Sequence, residues 1–170
     1  MTLEPNPTDS NYEALKCEIE DLDASHSEYE MVAKYFATTC RNSGTKVVDI
    51  FKIKREGEDA RNNPLKLGNK KLLWHGSRFS NFVGILSNGM RIAPPEAPST
   101  GYNYGKGVYF ADLADKSVNY CCTHLSKGIG LFVVCEVALG NPQQFLSPNY
   151  DAATLPPGCH STHAVGRLRP

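Results

Sequence analysis

LLWHGSRFSN, residues 72–81, passes from apolar to small and polar side chains within a few positions, and the fold turns on it. It holds the chain's only tryptophan and one of its five histidines. Leu72, Leu73 and Trp74 suit a buried strand, whereas His75, Gly76 and Ser77 are poor core material and well suited to meeting a ligand. Gly76 leaves its backbone N–H and C=O open to close approach, which fits a ligand carrying both an acceptor and a donor, such as a carboxamide. A side chain at Gly76 is therefore expected to occupy ligand space and to harm binding more than folding. His75 and Ser77 flank that point with groups that read hydroxyls.

Working outward toward the C-terminus, SNFVGILSNG predicts a short helix with Phe82, Val83, Ile85 and Leu86 as its apolar stripe, Ser80 as N-cap and Gly89 as C-cap. RIAPPEAPSTGYNYGKG carries three prolines and three glycines in seventeen residues, too broken for a simple connection and long enough to be functional. GVYFA, ending the loop, predicts a short strand that carries Tyr109, and DLADKSVNYCC predicts a second short helix with Asp112 near its start. Ser117 and Tyr120 lie three apart on it and share a side. Two tyrosines and a hydroxyl converging on one cleft describe a pocket for a flat heteroaromatic amide. Taken singly, His75 reads more readily as a structural histidine and the tyrosines as core residues, so the joint pattern carries the functional reading. GLFVVCEVALG is a near-continuous apolar strand, and the chain beyond Gly140 reads as loop.

Toward the N-terminus, KVVDIFKIKRE predicts a long strand through Val48, Ile50 and Ile53, separated from the central stretch by the loop GEDARNNPLKLGN. Ser27 and Glu30 predict a capping box ahead of the helix EYEMVAKYFATTC, with Val32, Tyr35, Phe36 and Cys40 at helical spacing. LKCEIEDL alternates as a half-buried strand, and residues 1–10 read as a flexible lead-in.

At 170 residues the chain matches one domain. Eighteen basic and eighteen acidic residues cancel, which removes the field that recruits nucleic acid or an anionic membrane. Neither partner is expected. The six cysteines follow no disulfide spacing and no apolar segment reads as a signal peptide or membrane span, so an intracellular, soluble setting is expected. There is no G-x-G-x-x-G and no Walker A sequence, which argues against a Rossmann or P-loop site. CCTH and CHSTH suggest a zinc module, but adjacent cysteines are not the C-x-x-C of such sites, and no metal is expected.

Residues 72–121 as a whole resemble the core of the catalytic domain of the DNA-dependent poly(ADP-ribose) polymerases, with VVDIFKIKREGE and CEVALG matching on either side. The likeness runs from about Asn11 to Gly166. It implies the ADP-ribosyltransferase fold, α+β with a split, mostly antiparallel sheet and short helices. It also implies NAD+ as donor substrate rather than cofactor, protein acceptors, nuclear residence and a part in DNA repair. By that resemblance Gly76 and Ser117 hold the nicotinamide carboxamide, Tyr120 stacks on the ring and Tyr109 closes the other side. His75 takes ribose hydroxyls, Ser77 the adenosine side, and Asn81 and Arg91 the adenosine ribose and diphosphate. Residues 94–106, with Tyr102, match the loop over the donor, and Lys116 matches a lysine on the acceptor side.

The family pattern includes a glutamate in a late strand of the form YNEYIVY, which completes a set with His75 and Tyr109. No segment among these 170 residues has that form. The expectation is a catalytic domain over 11–170 without the family's C-terminal segment and last strands, and without its N-terminal regulatory helical domain. The alternative is an inactive fragment that binds NAD+ or nicotinamide.

Overall fold

Trp74 organises the packing, and the reason lies in the helix spacing upstream of it. Tyr35, Phe36 and Thr39 fall one turn apart on one side of a helix, and all three meet the indole. The Tyr35 ring stacks on Trp74 at 4.8 Å and 16°. Phe36 meets it edge-on at 5.8 Å, and Phe132 closes the cluster at 6.2 Å from Trp74. The indole N–H donates to Thr39 Oγ1 at 3.1 Å, so the polar tip of a 3% exposed tryptophan is satisfied.

The computed structural model describes residues 6–58, 67–94 and 102–166. In chain order they form α1 (Pro7–Leu15), β1 (Cys17–Asp21), α2 (Ser27–Thr39), β2 (Phe51–Arg55), β3 (Lys70–Ser77), a 3-10 turn (Phe79–Asn81) and α3 (Phe82–Asn88). There follow α4 (Ala114–Val118), a second 3-10 turn (Thr123–Leu125), β4 (Leu131–Ala138), β5 (Pro142–Phe145) and β6 (Ser161–Ala164). The mixture of short helices with paired strands is the α+β class that the family resemblance implies. Among the described residues the sheets are two-stranded: β1 with β2 and β3 with β4 antiparallel, and β5 with β6 parallel. The β3–β4 ladder sets Lys70 opposite Ala138 and Ser77 opposite Leu131, so it delivers His75–Gly76–Ser77 to its end.

Several sequence expectations are corrected. Residues 7–10 are not a loose lead-in but the start of α1, because Pro7 occupies the first turn, where its missing N–H costs nothing, and Asn6 caps the Thr8 N–H at 3.0 Å. The cap of α2 is His26, whose Nδ1 accepts from Glu28 N at 3.2 Å, rather than a Ser27–Glu30 box. The long strand over 46–56 shrinks to Phe51–Arg55, since β1 offers only five partners; Val48, outside the ladder, is 80% exposed. Ser80 lies inside a 3-10 turn instead of capping α3, whereas Gly89 ends that helix as expected, with φ 77°. GVYFA forms no strand but a single bridge from Ala111 to Trp74. The tail beyond Gly140 contains β5 and β6, joined by the fifteen residues 146–160, the kind of span that parallel neighbours require. Most of the loop GEDARNNPLKLGN lies outside the described residues.

Candidate active site

The open edge of β3 is the starting point. Trp74 donates to Ala111 O at 2.8 Å and accepts from Ala111 N at 2.9 Å, so both its backbone groups face away from β4. Backbone groups on a strand repeat every second residue, so the N–H and C=O of Gly76 face the same edge, two residues past that bridge. Ser117 reaches this edge from α4: its hydroxyl donates to Trp74 O at 3.2 Å and it is 3% exposed. With its hydrogen committed, the Ser117 oxygen is left with acceptor capacity. Tyr120 follows one turn later, its N–H donating to Ser117 O at 3.1 Å and its side chain exposed.

The reason for a glycine at 76 differs from the one expected. A Cβ there would fall on the Ser117 carbonyl oxygen and stand 3.1 Å from Cys121 Sγ. The space above Gly76 therefore belongs to helix α4 and not to a ligand, although its backbone N–H and C=O still face the edge. Cys121 fills the remainder of that contact; burial pushes its thiol up to about 11, which marks a packing group and not a nucleophile.

His75 lies on the opposite face of β3 from Trp74 and the Gly76 Cα–H. Its Nδ1 is 2.8 Å from Tyr109 O. A carbonyl oxygen only accepts, so Nδ1 carries the hydrogen and Nε2 of the neutral ring is left as acceptor. Phe110 sets the ring from one side at 5.8 Å and 60°. One strand position on, Ser77 Oγ accepts from Asn81 Nδ2 at 3.0 Å, which leaves the hydroxyl hydrogen to donate elsewhere.

Tyr109 closes the turn 102–109. Its hydroxyl donates to Gly105 O at 2.6 Å and accepts from Tyr104 N at 3.1 Å. Its ring stands 6.4 Å from that of Tyr102 and is 40% exposed. The structure thus joins Gly76 with Ser117, His75 with Tyr109, Ser77 with Asn81, and Tyr102 with Tyr109. Arg91, beyond α3, and Lys116, beside Ser117 on α4, are exposed. Of the loop 94–106, residues 95–101 lie outside the described residues.

Two supporting residues, Asp115 and Thr39, escaped the sequence reading, and Tyr35 entered it only as a ring and not as a donor. Asp115 in the first turn of α4 accepts from Arg41 N at 2.9 Å, Asn42 N at 3.2 Å and Cys40 Sγ at 3.4 Å. The Arg41 N–H foremost, then the other two donors, hold its carboxyl below the ordinary value of 3.8. Tyr35 donates to Leu72 O at 2.8 Å and Asp112 O at 3.3 Å, and Thr39 anchors the indole. For Tyr35 and Thr39 the signal was their polar tips on the inner stripe of α2, which was read for its apolar surface alone.

An open, mostly apolar cleft of about 460 Å³ lies between Phe79 and the 122–129 turn, lined by Cys122, Leu125 and Ile129. It includes none of the groups named above, so the candidate site rests on their hydrogen-bonding chemistry and not on concavity. Among the described residues no three of His, Cys, Asp and Glu are placed to hold a metal ion. His160 Nδ1 instead accepts from Asn141 N at 3.1 Å, and Cys159 lies against Gln143. Among the described residues no helix is long and apolar enough to cross a membrane.

The poly(ADP-ribose) polymerase catalytic domain, as a family model, matches residues 26–170. A poly(ADP-ribose) polymerase of Sarcophaga peregrina is 49% identical over 170 residues, 97% of this chain and 17% of that protein. Poly(ADP-ribose) polymerase 1 of Danio rerio is 49% identical over 98% of this chain and 17% of its own length. Poly(ADP-ribose) polymerase 2 of Homo sapiens is 43% identical over 97% of this chain and 29% of its own length. The chain thus spans less than a third of each of these relatives.

Proposed function

Because the chain belongs to the poly(ADP-ribose) polymerase catalytic-domain family, we propose that it serves as an NAD+-dependent ADP-ribosyltransferase domain, passing ADP-ribose to protein acceptors and releasing nicotinamide. The observation that carries this reading is the open edge at Gly76: a backbone donor and acceptor face the same side of β3 as the Ser117 hydroxyl. A carboxamide needs that complement, donating to Gly76 O and the Ser117 oxygen and accepting from Gly76 N–H. The exposed rings of Tyr109 and Tyr120 are surfaces for a flat heteroaromatic ring.

The chemistry follows from the leaving group. Nicotinamide attached to ribose is cationic, so the C1′–N bond breaks with its electron pair going to nitrogen, and neutral nicotinamide departs without protonation. The ribose passes through an oxocarbenium-like transition state, the acceptor side chain bonds to C1′, and its proton is lost to a base. Holding ring and ribose in one pose supplies much of the acceleration. His75 Nε2 accepts from a ribose hydroxyl in this reading, and Ser77 donates on the adenosine side, near Asn81 and Arg91. Tyr102 faces the donor and Lys116 the acceptor. NAD+ is a substrate here and not a resident cofactor, and nuclear residence follows from the same family reading.

The test is paired and uses the 170-residue polypeptide. Benzamide, a minimal flat carboxamide, at a hundredfold excess over its dissociation constant should stabilise the fold by about 2.7 kcal/mol, visible as a raised melting temperature. Labelled NAD+ then tests transfer. None of these residues matches the family glutamate that polarises the ribose 2′-hydroxyl, so the polypeptide should bind without modifying protein. Absence of a benzamide shift in folded protein overturns the pocket; robust labelling points to another carboxylate, with Asp151 the first to replace.

A further inference from the structure

The Tyr109 backbone is tied to β3, since His75 Nδ1 lies 2.8 Å from Tyr109 O, but the ring and hydroxyl that would face a ligand are set elsewhere. Tyr109 presents its ring from the turn 102–109, and the phenol's two hydrogen bonds go to Gly105 O and Tyr104 N, inside that same turn. What fixes residues 103–105 is the segment after β4. The Tyr104 ring packs on Phe145 of β5 at 6.3 Å and 41°. Asn149 N donates to Asn103 O at 2.8 Å. Gly105, with φ +73°, lies so close to Ala153 that a Cβ would meet its backbone nitrogen and stand 2.9 Å from its Cβ. β5 is itself fixed by pairing with β6 and by the bond from Val165 N to Phe145 O at 2.9 Å.

We propose that Phe145 is a positioning residue for the nicotinamide pocket, acting through Tyr104 on the Tyr109 ring. This rests on the reading of the pocket given above and goes beyond it, since it makes the segment 142–165 part of the binding apparatus. Tyr109 carries two roles in this arrangement. Its ring is a wall, and its hydroxyl is the tie through which the tail sets the angle of that wall. Removing the hydroxyl cuts the path, so a disturbance at Phe145 no longer reaches the ring. A tail that merely stabilised the fold would have no such dependence on Tyr109.

The experiment is a double-substitution cycle on the 170-residue chain, with benzamide affinity measured by calorimetry and folding by melting. Phe145→Ala should weaken benzamide by about fivefold in the native background and leave it unchanged in a Tyr109→Phe background. Phe145→Tyr should restore affinity. If Phe145→Ala is not folded, Phe145→Leu retains apolar bulk without the planar ring and should show the same coupling, at about twofold. Equal losses with and without the Tyr109 hydroxyl, or a lowered melting temperature with unchanged affinity, overturn the proposal while leaving the pocket standing. Failure of the unsubstituted chain to bind benzamide removes the pocket and this inference together.

Discussion

Trp74 and Tyr109 stand on neighbouring segments and are held by opposite means. Trp74 is 3% exposed, touches three other rings and has its N–H taken by Thr39. Tyr109 is 40% exposed; its backbone oxygen meets His75 of β3, and its phenol makes two hydrogen bonds within its own turn. One wall of the proposed pocket is thus the outer surface of the core, and the other is a turn whose backbone His75 ties to β3 and whose aromatic face is propped by the segment after β4. Damage to the first wall costs folding before it costs binding, because the same backbone does both jobs. Damage to the second leaves the β3–β4 ladder intact and is felt by the ligand. The sharpest way to break this contrast is at Gly76, where the two jobs coincide.

Gly76→Ala should produce the largest effect, about 3 kcal/mol of lost stability, since the added methyl meets the Ser117 backbone carbonyl and a backbone cannot turn aside as a side chain does. Denaturant unfolding of the variant measures it. A variant of native stability that no longer binds benzamide would return the space above Gly76 to the ligand and dissolve the contrast.

How much of this was legible depended on whether the determining contact was local. The β3 strand, α2, β4 and the end of α3 at Gly89 followed from periodicity and capping chemistry, which reside in a few consecutive residues. The approach of His75, Gly76, Ser77 and Ser117 was visible only as composition plus family likeness. The close packing of Gly76 on Ser117 joins positions forty-one apart in the chain, and no local rule reports it. Asp115 was unreadable for the same reason: its partners at 40–42 lie on another element. GVYFA misled in the other direction, because its β propensity is satisfied by one bridge to Trp74 while Tyr109 is turned aside to close its loop. Residues 7–10 read as part of a lead-in, yet the place of Pro7 one residue after a capping asparagine makes it a helix starter.

A smaller effect is expected at Ser117. Ser117→Ala removes the acceptor offered to a carboxamide and one of two hydrogen bonds reaching Trp74 O, and the other, from Ala111, keeps that carbonyl satisfied. Binding of benzamide should weaken by about 1 kcal/mol, with stability falling by less. If stability falls and affinity does not, Ser117 belongs wholly to the first wall.

The smallest effect sharpens the comparison from the side of charge. Asp115 ties the start of α4, and with it Ser117, to the end of α2, through three donors that prefer its ionised form. Its carboxyl titrates lower in the folded chain than the ordinary 3.8, so its stabilising contribution is complete above that value and is lost as pH falls through the folded one. In that window the unfolded chain takes up more protons, and stability must decline. Asp115→Asn retains an acceptor but no charge, so near neutral pH it should cost about 0.5 kcal/mol, a modest figure for a carboxylate near solvent. The gap between the native chain and the variant should then close as pH drops below 4. Benzamide affinity measured across the same range decides where the tie acts. If affinity declines in step with stability, Asp115 holds the first wall as a unit with the core. If affinity falls while melting does not, α4 moves independently of Trp74, and the pocket has two adjustable walls in place of one.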